Sequence, residues 1–324
     1  MPSQVFDSYW WFAAERQSIF YKRLNGDRGS WTEDTILSTF RFTNAYRASD
    51  RVSQYLIRHV IYGGSNSQVD IVFRIILFKL FNKIETWEML AAEVGPITYS
   101  TYRFEKYDRV LTNALSAGTR IYSSAYIMPS GGRKYSRKHR AHLCLLETMM
   151  NDRLPSKLTA CTTMQQAFDL LRGYPMIGDF LAYQYVTDLN YSEVVNFSEM
   201  EFVIPGPGAR SGLQKCFFDF GDWSGIDILR WVAEHQEEEF AKRQLDFKSL
   251  WGRPLQLIDC QNLFCEIDKY ARVRFPGISG RLQRTRIKRR FRANSTRIEY
   301  WFPPKWGIDT NMKDDLPLTR TATA

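Results

Sequence analysis

Cysteine and histidine are scarce in this chain, five and four among 324 residues. The cysteines, at 144, 161, 216, 260 and 265, form no C-x-x-C pair. An odd, scattered set supplies neither a disulfide framework nor the spacing of a zinc site. Long apolar runs are missing too. The best candidate, VDIVFRIILFKLFN, is interrupted by Arg74 and Lys79, short of the roughly 18 uncharged residues that a membrane helix needs. The first residues, MPSQVFDSYWWFAAERQ, carry acids and bulky aromatics where a secretory signal has basic and then aliphatic residues. No G-x-x-x-x-G-K-[ST] occurs, which excludes a P-loop kinase, and no Ser-His-Asp arrangement is suggested. These absences predict a reduced, intracellular protein with no membrane span, no metal and no cofactor.

What is present points elsewhere. Hydrophobic residues make up 44% and aromatics 15%, too much for a disordered chain. The length suffices for one large domain or two modest ones. A net charge of +9 favours a polyanionic partner.

Apolar residues recur at helical spacing through most of the chain. The pattern predicts helices at 34–62, 68–94, 101–126, 137–151, 156–172, 178–189, 224–245 and 254–273. Short extended pieces are expected near 201–204, 216–219 and 297–302. Breakers such as YGGSNS, MPSGGRKYS and RLPSK separate the helices. The expected organisation is a mainly α single catalytic domain over 1–305, with room for two lobes, and a polar tail over 306–324.

Five features carry chemistry-bearing residues. In RFTNAYRASDRVSQYLIRHV, a continuous helix would align Asn44, Arg47 and Arg51 on one side, with Asp50 and Gln54 adjoining. Two readings are open there: arginines gathered around an anion, or a solvated face with an Arg–Asp pair. In LQLIDCQNLFCEIDKYARVRFP, helical spacing groups Asp259, Asn262, Glu266, Lys269 and Tyr270 opposite an apolar stripe. A carboxylate beside a lysine and a phenol suits general acid–base work, and equally a surface ion pair worth under about 1 kcal/mol. In LLRGYPMIGDFLAYQYVTDL, residues Leu170, Pro175, Ile177, Gly178 and Ala182 sketch a helix–hairpin–helix, whose turn offers backbone N–H groups to DNA phosphate. Met176 stands where the first hairpin glycine is usual.

The fourth feature is charge. GGRKYSRKHR, with Arg133 and Lys134, and RLQRTRIKRRFRANSTR, with Arg286, Lys288, Arg289 and Arg290, concentrate one sign. The second holds seven Lys or Arg among residues 281–292, and two such runs favour a nucleic-acid surface. The fifth is EFVIPGPGARSGL, with prolines and glycines crowded into residues 205–212. It makes either a plain turn or a backbone held open for a phosphate.

Taken in order, NAYRASDRVSQYLI, VFRIILFKLFNKIETWEML, YPMIGDFLAYQYVTDLNYS, EFVIPGPGARSGL and IDCQNLFCEIDKYAR resemble one family. It is that of the α-glutamyl/putrescinyl thymine pyrophosphorylases, or amino acid:DNA transferases. Their domain is also called the helical domain of 5-hydroxymethyluracil DNA kinases. The resemblance spans residues 7–305. It implies a fold akin to helix–hairpin–helix DNA glycosylases and an action on hypermodified thymine in double-stranded DNA. A separate 5-hydroxymethyluracil DNA kinase would pyrophosphorylate the 5-hydroxymethyl group, and the transferase would replace pyrophosphate with an amino acid or polyamine amine. The base would have to be flipped out of the duplex. Such enzymes occur chiefly in bacteriophages, with relatives in bacteria and fungi, implying cytoplasm, or the nucleus in a fungus.

The resemblance also assigns residues. Asn44, Arg47, Arg51, Gln54, Gly206, Gly208, Ala209, Arg210 and Gly212 would cradle the pyrophosphate, with Asp259, Gln261 and Asn262 beside them. Glu266 or Asp50 would act as base, with Lys269 and Tyr270 assisting. GPGARSG then reads as a phosphate-facing loop. Where a glycosylase has its catalytic aspartate, about twenty residues past the hairpin, this chain has Glu199 and Glu201. A glycosylase acting on modified thymine and a non-catalytic DNA-binding partner of a kinase are the competing readings.

Overall fold

The last α-helix among the described residues, Leu257–Arg274, explains much of the architecture, because both its apolar and its polar sides are buried. The computed structural model describes residues 1–132, 135–292, 299–308 and 310. Most of the tail expected over 306–324 lies outside them. Among the described residues the chain is mainly α-helical. Extended backbone pairs only at three isolated bridges, Pro2–Phe217, Phe40–Arg290 and Leu250–Arg253.

The first helix, α1 (Gln4–Asn25), lies where no helix is predicted. Ser3 caps it by accepting the Val5 N–H at 3.1 Å, and Gly26 ends it at φ 77°. Val5, Phe6, Tyr9, Trp10, Phe12 and Ala13 are all buried. They share one broad side, but Arg16 and Gln17 are buried on it and Trp11 lies on the outer side, so the apolar–polar period is blurred.

The helix expected over 34–62 is broken. It becomes α2 (Thr35–Thr39), irregular chain, a 3₁₀ turn at Arg47–Ser49, then α3 (Arg51–Tyr55), which continues into a π-helical turn at Leu56–Ile61. Short polar side chains cause the break. The Asn44 N–H donates to Asp50 Oδ1 at 2.9 Å, and Asn44 Nδ2 to the Ser49 carbonyl at 2.8 Å. These bonds replace the i→i−4 ladder.

The 68–94 helix splits at Asn82, in the left-handed region at φ 47°, into α4 (Gln68–Phe81) and α5 (Ile84–Val94). From Ile71 to Phe81 α4 is buried on every side. Around it stand α6 (Phe104–Ser116), α7 (Lys138–Asn151), α8 (Leu154–Thr159), α9 (Met164–Arg172) and α10 (Asp179–Leu189). Near α1, the segment Pro207–Cys216 forms α11, followed by α12 (Gly225–Glu234), α13 (Gln236–Lys242) and α14 (Leu257–Arg274). One continuous apolar core joins the two groups.

The glycine-rich stretch is therefore neither a plain turn nor an open loop. Gly206 precedes α11 and Pro207 starts it, the position where a fixed φ suits a helix. Gly208 and Gly212 lie where α11 crosses α14. A Cβ on Gly208 would sit 2.3 Å from Cys265 Sγ, and one on Gly212 only 1.9 Å from the Phe264 carbonyl oxygen. Gly212→Ala should therefore destabilise the fold by about 3 kcal/mol, since backbone cannot yield as a side chain does. Gly178→Ala, which meets nothing within 4 Å, should stay within about 0.5 kcal/mol of the parent. Equal urea midpoints for the two variants would overturn this account of the crossing.

Candidate functional site

The irregular chain between α2 and α3 lies against α14, and this brings the acid–base residues together. Glu266 is buried, and its Oε2 accepts the Thr43 N–H at 3.0 Å and Lys269 Nζ at 2.6 Å. Lys269 also lies 5.0 Å from the centre of the Phe42 ring. From α1, Arg16 donates to the Thr43 carbonyl at 2.9 Å and to Asn44 Oδ1 at 3.2 Å. Asp50 caps the same loop through the Asn44 N–H. Burial pushes its carboxyl up to about 7; the Asn44 N–H opposes this, and the Glu266 charge adds to it. Thr43 Oγ1 and Ser49 Oγ are buried beside these groups with no hydrogen-bond partner.

Arg47, expected on an exposed helix face, is 2% exposed. Its N–H donates to Asp259 Oδ1 at 2.7 Å, and its guanidinium to Gln184 at 3.1 Å, Asp188 at 2.6 Å and the Tyr191 hydroxyl at 2.9 Å. Lys79 completes a buried triad, 2.8 Å from Asp188 Oδ2 and 2.9 Å from Asn82 Oδ1. Burial alone would raise the Asp188 carboxyl, but Arg47 and Lys79 outweigh it and hold it below the usual range. Burial raises Asp259 to about 6, against the N–H bonds from Arg47 and Gln256. Over the triad lies Tyr126, whose ring sits 4.4 Å from Lys79 Nζ.

The remaining assigned residues fall in several places. Arg51 is exposed, 3.7 Å from Glu85. Gln54 is buried, donating to the Ala48 carbonyl at 2.8 Å and accepting the Trp301 N–H at 2.8 Å. The phosphate cradle over 206–212 is not open: the Gly206 N–H donates to Gln261 Oε1 at 3.0 Å, Ala209 is buried, and Gly208 and Gly212 face α14. Arg210 folds back to the Pro205 carbonyl at 2.9 Å. Tyr270 donates to Asp34 Oδ2 at 2.8 Å, tying α14 to the cap of α2, and Asn262 is half-buried. Gly178 is exposed at the start of α10, and Met176 takes the left-handed conformation, φ 67°, that a hairpin glycine would favour. Arg133 and Lys134 lie outside the described residues.

The second basic run reaches the site. The Arg286 carbonyl accepts from Arg272 on α14 at 3.1 Å, the Arg41 N–H donates to the Arg289 carbonyl at 3.0 Å, and the Phe291 N–H to the Thr39 carbonyl at 2.9 Å. Arg41, Lys288, Arg289, Arg290 and Arg292 line an open cavity of about 400 Å³. It begins two residues before Thr43. Five like charges around one basin form a strong anion attractor.

Arg16, Arg41, Thr43, Lys79, Tyr126 and Asp188 escaped the sequence reading. For Lys79 a signal existed: two cations in an otherwise apolar helix usually have buried partners. Arg74 donates to the Val60 and Ile61 carbonyls at 2.7 and 2.9 Å, closing the π-helical turn. Among the described residues no three His, Cys, Asp or Glu side chains gather as a metal site, and no helix is long and apolar enough to cross a membrane.

The mainly helical frame agrees with what comparison of the chain finds. The family model described as "5-hmdU DNA kinase, helical domain" matches residues 3–280, and the chain belongs to that family. A 5-hmdU DNA kinase of Bacillus phage SP10 is 25% identical over 286 residues, covering 82% of this chain and 45% of that protein. The chain thus spans about half the length of the curated relative it matches. No solved structure matches it.

Proposed function

We propose that the protein acts in the modification of 5-hydroxymethyluracil in DNA, as a transferase that displaces pyrophosphate with an amine. The substrates are a pyrophosphorylated 5-hydroxymethyl group on a DNA base and an amino acid or polyamine. The nitrogen lone pair attacks the exocyclic CH₂ carbon while the C–O bond to pyrophosphate breaks, and pyrophosphate leaves with that electron pair. The proton shed by the new C–N bond passes to Asp50. The observation that carries this reading is Asp50 itself, half-buried with a carboxyl at about 7, on the loop whose Thr43 N–H also binds Glu266, the partner of Lys269. A base near neutrality takes a proton from an amine most usefully at working pH. Glu266 serves differently: its Oε2 is engaged by the Thr43 N–H and Lys269, so it fixes the lysine. Lys269 and the basin cations then neutralise the leaving group.

Release of inorganic pyrophosphate that requires both the modified DNA and an amine tests the reading; release without amine, or none with both, contradicts it. DNA affinity adds a separate check. Each phosphate neutralised contributes about 0.9 to the slope of log K against log salt, so replacing Arg41 and Arg289 together by Ala should flatten the slope by about 2. An unchanged slope would remove the basin from the DNA path.

A further inference from the structure

We propose that Ile127 is a wedge that enters the DNA base stack and holds open the place of the base drawn into the site. This inference rests on the reading of DNA as the substrate. The observations concern residues 123–132, in the connection between α6 and α7. Ile127 is 68% exposed, more than any other large aliphatic side chain among the described residues except the terminal Met1. A single exposed isoleucine is ordinary on a protein surface, but this one sits between pinned neighbours. On one side is Tyr126, a non-glycine residue in the left-handed region at φ 54°. Its ring stacks on Phe180 at 5.7 Å and 10° and covers Lys79 Nζ at 4.4 Å. On the other side Met128 is buried, its sulfur accepting from the Tyr185 hydroxyl at 3.1 Å, and the Pro129 carbonyl lies 2.8 Å from His142 Nε2. Gly131 is pressed against Ala141 and Met176, where a Cβ would come within 2.5 Å of Ala141 Cβ. A strained tyrosine persists only where its surroundings over-determine it, and the result is an aliphatic side chain thrust outward from a fixed base.

Its location matches the task. The Tyr126 ring lies over Lys79, which shares Asp188 with Arg47, so Ile127 is one residue from the cover of the buried triad that holds the Arg47 turn. Through Phe180 the same loop rests on the start of α10: a Cβ on Gly206 would lie 2.8 Å from the Phe180 ring. Proteins that kink or open a duplex insert an apolar side chain of this kind between base steps, and an enzyme acting on a base must take it out of the stack.

The test uses a short duplex carrying one pyrophosphorylated 5-hydroxymethyluracil, with no amine added and 2-aminopurine as its neighbour, whose fluorescence rises when it unstacks. The full chain should raise the signal severalfold on binding. Because Ile127 is exposed, Ile127→Ala should fold as the parent does. Its Kd should change by less than about threefold, with the rise cut to below about one third, since unstacking a step carries a cost that the wedge offsets. With a mismatch opposite the modified base, where pairing is already broken, the variant should recover. Equal rises for the two proteins, or binding without any rise for the parent, would overturn the wedge and leave the DNA reading intact. Absence of DNA binding by the parent would overturn both.

Discussion

Asp50→Asn should lower amine transfer by about 10²–10⁴-fold, the range contributed by a positioned proton acceptor, and yet raise the melting temperature at neutral pH. The two effects share a cause. Burial raises the folded carboxyl from its ordinary 3.8 to about 7, so between those values the folded protein holds a proton that the unfolded chain has released. Stability from this group therefore falls as pH rises from about 4 to 7 and is flat beyond. Asparagine keeps the acceptor for the Asn44 N–H and carries no charge to bury. The gain in melting temperature should accordingly be small at pH 4 and largest above pH 7. In the parent, transfer should rise about tenfold per pH unit up to pH 7 as the base ionises, and the variant should lack that inflection. An Asp50→Asn variant that still transfers amine at the parental rate would remove Asp50 from the chemistry.

Asp188→Asn should be the more damaging change for the fold. It leaves Arg47 and Lys79, both about 2% exposed, as two buried cations without an anion. Removing one partner of such a group is expected to cost about 3–5 kcal/mol, whereas replacing the ions together by apolar groups often costs little. Adding Lys79→Met to Asp188→Asn should therefore recover part of the loss. The readout is the urea midpoint of the single and double variants. If the single variant matches the parent, the triad does not hold the Arg47 turn in place.

The helical class, the separator YGGSNS between α3 and α4, and the nearness of Glu266 to Lys269 were legible, because they depend on local spacing and turn chemistry. The helix α1 was not, since a broad buried side that takes in Arg16 and Gln17 blurs the period. The division of 68–94 at Asn82 was hidden because α4 is apolar all round, and a single asparagine in the left-handed region leaves no gap in such a run. The long helix drawn through 34–62 failed differently. Asn44 and Asp50 satisfy backbone groups across six residues, and such a bond is invisible to periodicity. The same bonds make the loop that carries the candidate base. GPGARSG was misread because glycine serves two ends, freedom of φ and absence of a Cβ, and here the second matters. Only the partner helix, with the Phe264 carbonyl 1.9 Å from a would-be Cβ, distinguishes them. Arg47 and Asp188 lie 141 residues apart, a pairing beyond any local pattern.

The most direct test of the proposed chemistry is nucleoside mass spectrometry on DNA bearing pyrophosphorylated 5-hydroxymethyluracil, incubated with the protein and pooled amino acids and polyamines. The account predicts a new nucleoside carrying one of the amines in place of pyrophosphate, and its mass names the donor. Nucleosides left unchanged, or a free base released from the DNA, would contradict it.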